Sequence, residues 1–311
     1  MSRSTDGTTA TASPLVSVVI PTYYRNDALP DAVRSVLEQT HEPVEVIVVD
    51  DSGEAHAEPV VERFDGVEYV PLPENRGSNG ARQAGLDRAT GEYVHLLDDD
   101  DRMRPAKLAR QLARFEDAPD DVGVVYTGIE KTGGLTDLPS EDARGEVLDR
   151  ALAFDLWPCM TSTMLTERAT MDAVLPLSDR RHGTDLELMI ELAATASFDF
   201  VDAALLHKRI DELSVGHSLA AVEARFDIVC EYDHLYDRCP AAVRQRAIAN
   251  TYETEGQILL KTHRWSPRAV AAFARHLYYL PEVGAKAVLQ ALASLLGRPG
   301  WRIARSVGRY L

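Results

Sequence analysis

Short apolar runs separated by stretches of helical spacing constrain the fold of this chain more than any other feature. VSVVIP (16–21), VEVIVVD (44–50), YVHLLD (93–98) and VGVVYT (122–127) are almost wholly apolar, and a shorter run lies at Val67–Val70. A sheet with one wet face would alternate apolar and polar residues, so strands like these are covered on both sides. Between them, Ala28–Gln39, a stretch near Glu58–Phe64, Gly80–Ala89 and Pro105–Phe115 carry helical spacing. The alternation implies an α/β fold: a Rossmann-like, mainly parallel sheet with helices on both faces. Its ligand is expected at the carboxyl ends of the strands.

The following stretch is less regular. Leu135–Gly145 reads as a loop, with a strand expected at Thr161–Leu165, a helix at Asp185–Ala194 and a strand near Phe198–Leu206. Beyond about residue 218 the sequence is helical: Ala220–Asp237, Ala241–Thr262, Pro267–Tyr278, Val283–Leu296 and a last segment to Leu311, punctuated at Pro240, Pro267, Pro281 and Pro299. The expected organisation is a frayed tail over 1–13, halves over 14–127 and 128–218, and a C-terminal helical region over 219–311.

Charge excludes one class of partner. Lys and Arg total 33 against 49 Asp and Glu, a net of -16, so no basic face for nucleic acid is expected. The acidic, lysine-poor balance fits a salt-adapted cytoplasm, where salt screens carboxylate repulsion. The imbalance is uneven: residues 1–218 carry 41 acids and 20 bases, residues 219–311 carry 8 and 13. Cys159, Cys230 and Cys239 have neither disulfide-framework nor zinc spacing, which points to a reducing compartment. No run approaches the roughly 20 apolar residues of a membrane span, and residues 1–13 lack the apolar core of a signal peptide. A cytoplasmic protein is expected, with peripheral contact to the inner membrane face left open.

Chemistry concentrates where strands end. The first strand ends in Pro21-Thr22-Tyr23, the second in Asp50-Asp51-Ser52-Gly53, and the run at 93–98 leads into Asp98-Asp99-Asp100-Asp101. Clustered carboxylates repel one another and are costly to desolvate unless a cation neutralises them. The pattern therefore suggests Mg²⁺ or Mn²⁺ bridging to substrate phosphate. The plain alternative is a solvated acidic turn.

VSVVIPTYYR (16–25), SVLEQT (35–40), VEVIVVDDSG (44–53), ENRGSNGARQAGLDRATGEYVHLLDDDD (74–101) and RPAKLARQL (104–112) resemble, in order and spacing, the signature of family 2 glycosyltransferases with the GT-A fold. The resemblance covers roughly residues 15–215. It implies that 14–127 binds a nucleotide-sugar donor and that 128–218 faces the acceptor. Pro21, Thr22 and Tyr23 match the loop that packs on nucleobase and ribose, and Asp50, with Asp51 beside it, the acid that accepts from the base. Gly77 and Gly80 would permit close backbone approach. Arg82 matches the residue reaching back to the base, although Gln83 stands where the family usually has Asn; a surface ion pair is its alternative role. Asp98 matches the carboxylate near the ribose and Asp100 the metal ligand, with Asp99 and Asp101 in the same cluster.

By the same resemblance, HGTDLELMIELA (182–193) places Asp185 as the general base of an inverting transfer, with Glu187 and Asp179 as substitutes. The family's first acid of that pair is Thr184 here, and helix capping by Thr184 or Asp185 is the competing reading. HKRIDELSVGH (207–217) resembles the segment that closes over donor phosphates, where Lys208, Arg209 and His217 would neutralise the leaving diphosphate. CMTSTMLTER (159–168) looks like the acceptor lining. Processive relatives carry Gln-x-x-Arg-Trp; here Lys261 precedes Arg264-Trp265, so transfer of one sugar is expected, to a glycan or lipid-linked acceptor.

The tail GRPGWRIARSVGRYL (297–311) sets Arg298, Arg302, Arg305 and Arg309 against Trp301, Ile303, Val307, Tyr310 and Leu311. Either an interfacial helix on anionic lipid or a helix packed on its own domain fits that composition. Two other functional classes compete. A nucleotidyltransferase would show a Gly-rich basic loop where PTYYRND (21–27) stands, whereas an inactive homologue acting as a scaffold differs only at the imperfect base motif.

Overall fold

The computed structural model describes residues 13–209 and 218–307. The tail before Ser13, His217 and the segment ending in Arg309, Tyr310 and Leu311 lie outside the described residues, as do the side chains of Arg305 and Val307.

A nine-stranded sheet runs through the first two-thirds of the chain. β1 (Val16–Thr22), β2 (Val44–Asp50), β3 (Val67–Pro71) and β4 (Tyr93–Leu96) form one parallel block in the order β3-β2-β1-β4. β6 (Val122–Lys131) and β9 (Ser197–Lys208) form a second parallel pair. β8 (Leu165–Glu167) lies between the blocks, antiparallel to β4 on one side and β6 on the other, so β4 and β6 point the same way. The short strands β5 (Arg102–Met103) and β7 (Thr136–Asp137) add antiparallel to β9 and β6.

Successive side chains of a strand point to opposite faces, and here both faces are apolar. Val19, Ile47, Val49, Val94 and Tyr126 pack on one side with α3 (Gly77–Leu86), α5 (Leu148–Leu152) and α7 (Thr184–Thr195). Val18, Ile20, Val46 and Val48 pack on the other with α1 (Leu29–Leu37), α2 (Glu58–Val61) and α4 (Lys107–Asp117). The continuous apolar runs of the sequence follow from that double coverage.

Local elements differ from the sequence expectation: β7 falls inside the expected loop Leu135–Gly145, the helix expected over Ala220–Asp237 is broken at Tyr232, and two further differences have a visible cause. The expected strand over Thr161–Leu165 is a 3₁₀ turn at Thr161–Thr163 followed by β8. Thr163 Oγ accepts from the Met160 amide at 2.9 Å and donates to the Met160 carbonyl at 2.8 Å, a local ring that competes with ladder pairing. α3 starts at Gly77 rather than Gly80, because its first amides are satisfied from another strand end: Asp51 accepts from Arg76 N at 2.6 Å and Gly77 N at 2.9 Å.

α6 (Arg168–Asp172) follows β8, and from Leu219 the chain is helical. α8 (Leu219–Glu231), α9 (Asp233–Tyr236) and the first half of α10 (Ala241–Thr262) join the core on the α7 side of the sheet through Ile228, Tyr232, Leu235, Val243 and Ala247. The far end of α10, α11 (Pro267–Tyr279), α12 (Ala285–Ser294) and α13 (Gly297–Val307) make a smaller cluster around Leu259, Leu260, Phe273 and Trp301. Trp301 and Ala304 are buried there, so the apolar side of the tail helix turns inward at its aromatic residue instead of lying open.

Close approach of α3 to the sheet depends on Gly85, where an added Cβ would stand 2.3 Å from Val19 Cγ1 and 3.1 Å from Val49 Cγ2. Gly85→Ala is expected to destabilise the protein by about 1–3 kcal/mol through overpacking. Urea unfolding measures it, and an unchanged midpoint would count against this packing.

Candidate active site

β1, β2 and β4 are parallel neighbours, so their carboxyl ends open side by side, with Thr22 in register opposite Asp50. Asp50 is buried and accepts from Ser52 N at 2.9 Å, Ala57 N at 2.6 Å and the Tyr69 hydroxyl at 2.8 Å. Burial alone would push Asp50 up, but those donors hold it below the usual carboxylate range. Its structural work is thus to fold the loop after β2, while Asp51 caps α3. Gly77, at φ +78°, supplies the left-handed turn that presents its amide to Asp51. Pro21 is half-buried and Tyr23 is exposed at the mouth.

The four aspartates after β4 diverge. Asp99 turns inward and accepts from Thr22 Oγ1 at 2.7 Å. Asp98, Asp100 and Asp101 each offer an oxygen to a common point, with those oxygens all within 4.8 Å of one another. Hard carboxylate oxygens at that spacing suit a divalent ion of the Mg²⁺ or Mn²⁺ type. Protein cations answer part of the charge: Arg25 pairs with Asp100 and lies 3.6 Å from Asp99, and Lys208 Nζ lies 3.0 Å from Asp101 and 3.9 Å from Asp98. Burial would lower Lys208, yet Asp101 and Asp98 hold it well above its ordinary value. Burial would raise Asp98, and Lys208 with Arg82 keeps it low.

Arg82 is the hinge of the arrangement. It is 4% exposed, and its guanidinium reaches Asp98 at 3.2 Å and Asp185 at 3.0 Å, with Thr184 Oγ1 at 3.2 Å and Thr161 Oγ1 at 3.3 Å. A surface ion pair is therefore not its role. Its side chain joins the carboxylate cluster to the start of α7. That helix is entered through Gly183 at φ +74° with no side-chain cap, so neither Thr184 nor Asp185 serves as one. Asp185 sits in the first turn, partly exposed. Glu187 is tied to Arg180 and Ser178, and Asp179 is exposed on the approach to the helix. Arg209 donates its amide to Asp101 at 3.3 Å and points its guanidinium toward Asp27 at 3.5 Å.

Sequence alone does not single out several contributors. Arg25 meets Asp100 across 75 residues, and no local pattern marks such a pair. Ser162 Oγ accepts from Asp98 N at 3.1 Å, fixing the first aspartate of the cluster. Beneath it lies a fully buried Lys107, whose ammonium group contacts His95 Nε2 at 2.6 Å, Gln111 Oε1 at 2.8 Å and the Thr163 carbonyl at 3.2 Å. Burial pushes both Lys107 and His95 well down, His95 further by the neighbouring lysine charge. The network anchors the 3₁₀ turn that carries Thr161 and Ser162 to Arg82 and Asp98.

Burial pushes Asp99 up to about 7, with Thr22 and Arg25 opposing and Asp100 and Asp98 reinforcing. A carboxyl raised above its unfolded value of about 3.9 binds more protons folded than unfolded in that interval. It therefore removes stability as pH rises from about 4 to about 7. Burial likewise pushes Asp101 up to about 7, so metal-free protein is expected to lose thermal stability over that window, Asp99→Asn to lessen the loss by its own share, and Mn²⁺ to restore stability most near neutrality. Melting profiles across that pH range test this. Superimposable profiles for wild type and Asp99→Asn would contradict it.

With this geometry in place, comparison with known proteins is informative. The family model described as Glycosyl transferase family 2 matches residues 17–171, about half of the chain. A glucosyl-dolichyl phosphate glucuronosyltransferase of Haloferax volcanii is 36% identical over 119 residues, 37% of this chain and 38% of that protein. A GalNAc(5)-diNAcBac-PP-undecaprenol beta-1,3-glucosyltransferase of Campylobacter jejuni is 26% identical over 223 residues, 66% of this chain and 69% of that one. Against the curated relatives it matches at 33–40% identity, the chain spans between 32% and 53% of their length. Two solved structures share the fold. S. aureus TarS 1-349 in complex with UDP-GlcNAc has TM-score 0.62 at 17% identity, covering 95% of this chain and 91% of that one. The mannosyltransferase PcManGT of Pyrobaculum calidifontis, with GDP-Man and Mn²⁺, has TM-score 0.59 at 19% identity, covering 96% and 85%. The rim of strand-end carboxylates thus sits on a GT-A sheet, and the chain belongs to glycosyl transferase family 2.

Proposed function

We propose that this protein transfers one sugar, with inversion, from a nucleoside-diphosphate donor to a hydroxyl of a glycan or lipid-linked acceptor. The observation that carries the reading is Arg82. One buried guanidinium holds the carboxylate cluster on one side and Asp185 on the other. Donor phosphates and acceptor hydroxyl would then meet across a single fixed group.

In this reading Tyr23, exposed where β1 ends, stacks on the nucleobase, and Pro21 and Thr22 shape the wall beside it. Asp50, Asp51 and Gly77 hold that wall through their own hydrogen bonds. A divalent cation, Mg²⁺ or Mn²⁺, held by Asp98, Asp100 and Asp101 would supply neutralising charge at the diphosphate. Asp185 takes the proton of the acceptor hydroxyl as its oxygen forms the new bond to the anomeric carbon. The bond from that carbon to the diphosphate breaks on the opposite face, and Lys208 and Arg209 lie near the charge that departs. Complexes of the fold neighbours with UDP-GlcNAc and with GDP-Man and Mn²⁺ support a nucleotide-sugar donor. The dolichyl phosphate and PP-undecaprenol in the relatives' names support a lipid-linked acceptor, and peripheral contact with the membrane carrying it belongs to the same reading.

A panel of nucleotide sugars, screened by thermal shift and then by hydrolysis with Mn²⁺ or Mg²⁺, tests the activity. Asp100→Ala is expected to abolish metal-dependent turnover. Asp185→Asn is expected to lower transfer by about 10²–10⁴-fold while donor binding stays within a few fold. Full metal-dependent turnover by Asp100→Ala would remove the assignment, and wild-type transfer by Asp185→Asn would remove Asp185 as the base.

A further inference from the structure

The C-terminal helices leave apolar side chains in solvent that their packing does not use. Leu292, Leu295, Leu296 and Ile303 are each 58–74% exposed, and Trp265 is 55% exposed. Trp265 and the leucines meet at one corner of the helices. Trp265 Nε1 donates to the Leu295 carbonyl at 3.1 Å, which lays the indole against the α12–α13 corner. Leu292 lies in the last turn of α12, Leu295 and Leu296 follow in the turn that joins it to α13, and Leu296 packs on Gly300 one turn into α13. The small core beneath is already filled by Leu259, Leu260, Phe273 and Trp301.

Charge around this corner is opposite to that of the rest of the molecule. Residues 261–311 contain nine Lys and Arg and one acid, Glu282, whereas residues 1–260 contain 24 bases and 48 acids. Arg264 is exposed in the loop between α10 and α11, Lys286 on α12 and Arg302 on α13. We propose that the α12–α13 corner, with Trp265, is a docking surface for an anionic lipid bilayer. Leucines and an indole among basic side chains are the composition that inserts at the headgroup boundary, while the bases meet anionic lipid. No helix among the described residues is long and apolar enough to cross a membrane, so the contact lies on the surface of the bilayer. A symmetric pairing of two copies through this face would set one basic segment against another; an anionic bilayer complements it. The inference rests on the proposed glycosyl transfer only for the reason a membrane matters, and the surface is tested without any sugar.

Vesicle flotation of the full chain is the test. Vesicles containing phosphatidylglycerol are expected to bind it about tenfold more tightly than phosphatidylcholine alone, less so as salt rises. Trp265 emission should shift to the blue on binding, and Trp265→Phe should remove the shift. The double variant Leu292→Glu, Leu296→Glu should lose about tenfold in vesicle binding with an unchanged melting temperature. Wild type indifferent to anionic vesicles, or a double variant binding as wild type does, overturns the proposal. So does a wild-type dimer that the double variant dissolves, since a second copy would then occupy the face. A protein that binds vesicles but turns over no nucleotide sugar defeats the proposed activity and leaves this surface standing.

Discussion

A guanidinium taken out of water must find carboxylates or leave an uncompensated charge in the protein, and Arg82 finds two. Asp98 follows β4, sixteen residues on from Arg82, while Asp185 opens α7, far along the chain. The loop after β4, the helix α3 and the helix α7 can therefore reach their observed positions only together. Thr161 and Thr184 add hydroxyl oxygens to the two terminal nitrogens, so the 3₁₀ turn is drawn into the same contact. Loss of any partner would leave the others facing a buried cation, which is why this centre is expected to be rigid.

Around it, the rim is organised by repulsion as much as by attraction. Six carboxylates, Asp50, Asp51 and Asp98–Asp101, crowd one edge of the sheet, and the fold disperses them by different means. Asp99 is turned inward onto a hydroxyl, Asp100 is paired with Arg25, and Asp101 is buried against Lys208. Asp50 and Asp51 are spent on backbone amides. The strand-end acids are thus of two kinds: those after β2, with Asp99, brace the walls, and Asp98, Asp100 and Asp101 keep oxygens within 4.8 Å of one another.

The sheet is legible in the sequence because its strands are apolar on both faces, and the rim because parallel strands bring their carboxyl ends together. What sequence does not supply are contacts between distant positions. The start of α3 is hidden because its cap, Asp51, comes from another strand end rather than from the residues before the helix. The turn at Thr161–Thr163 reads as a strand by composition and is overruled by a threonine hydroxyl. Asp185 reads equally well as a cap or as a reactive group; the left-handed Gly183 removes the first possibility. For Trp301, helical spacing says that a face is apolar but not what covers it, and here the domain's own helices do.

β8 contains three residues, Leu165–Glu167, yet it is the seam between the two parallel blocks. The outer edge of β4 finds its neighbour only after about seventy further residues have been made, and loop closure over that distance costs entropy before any pairing rewards it. The N-terminal block can zip early from short crossovers and must then wait with an open edge. Loop-closure entropy therefore favours forming the β1–β4 block before β8, a single short strand running antiparallel to both neighbours, closes the sheet.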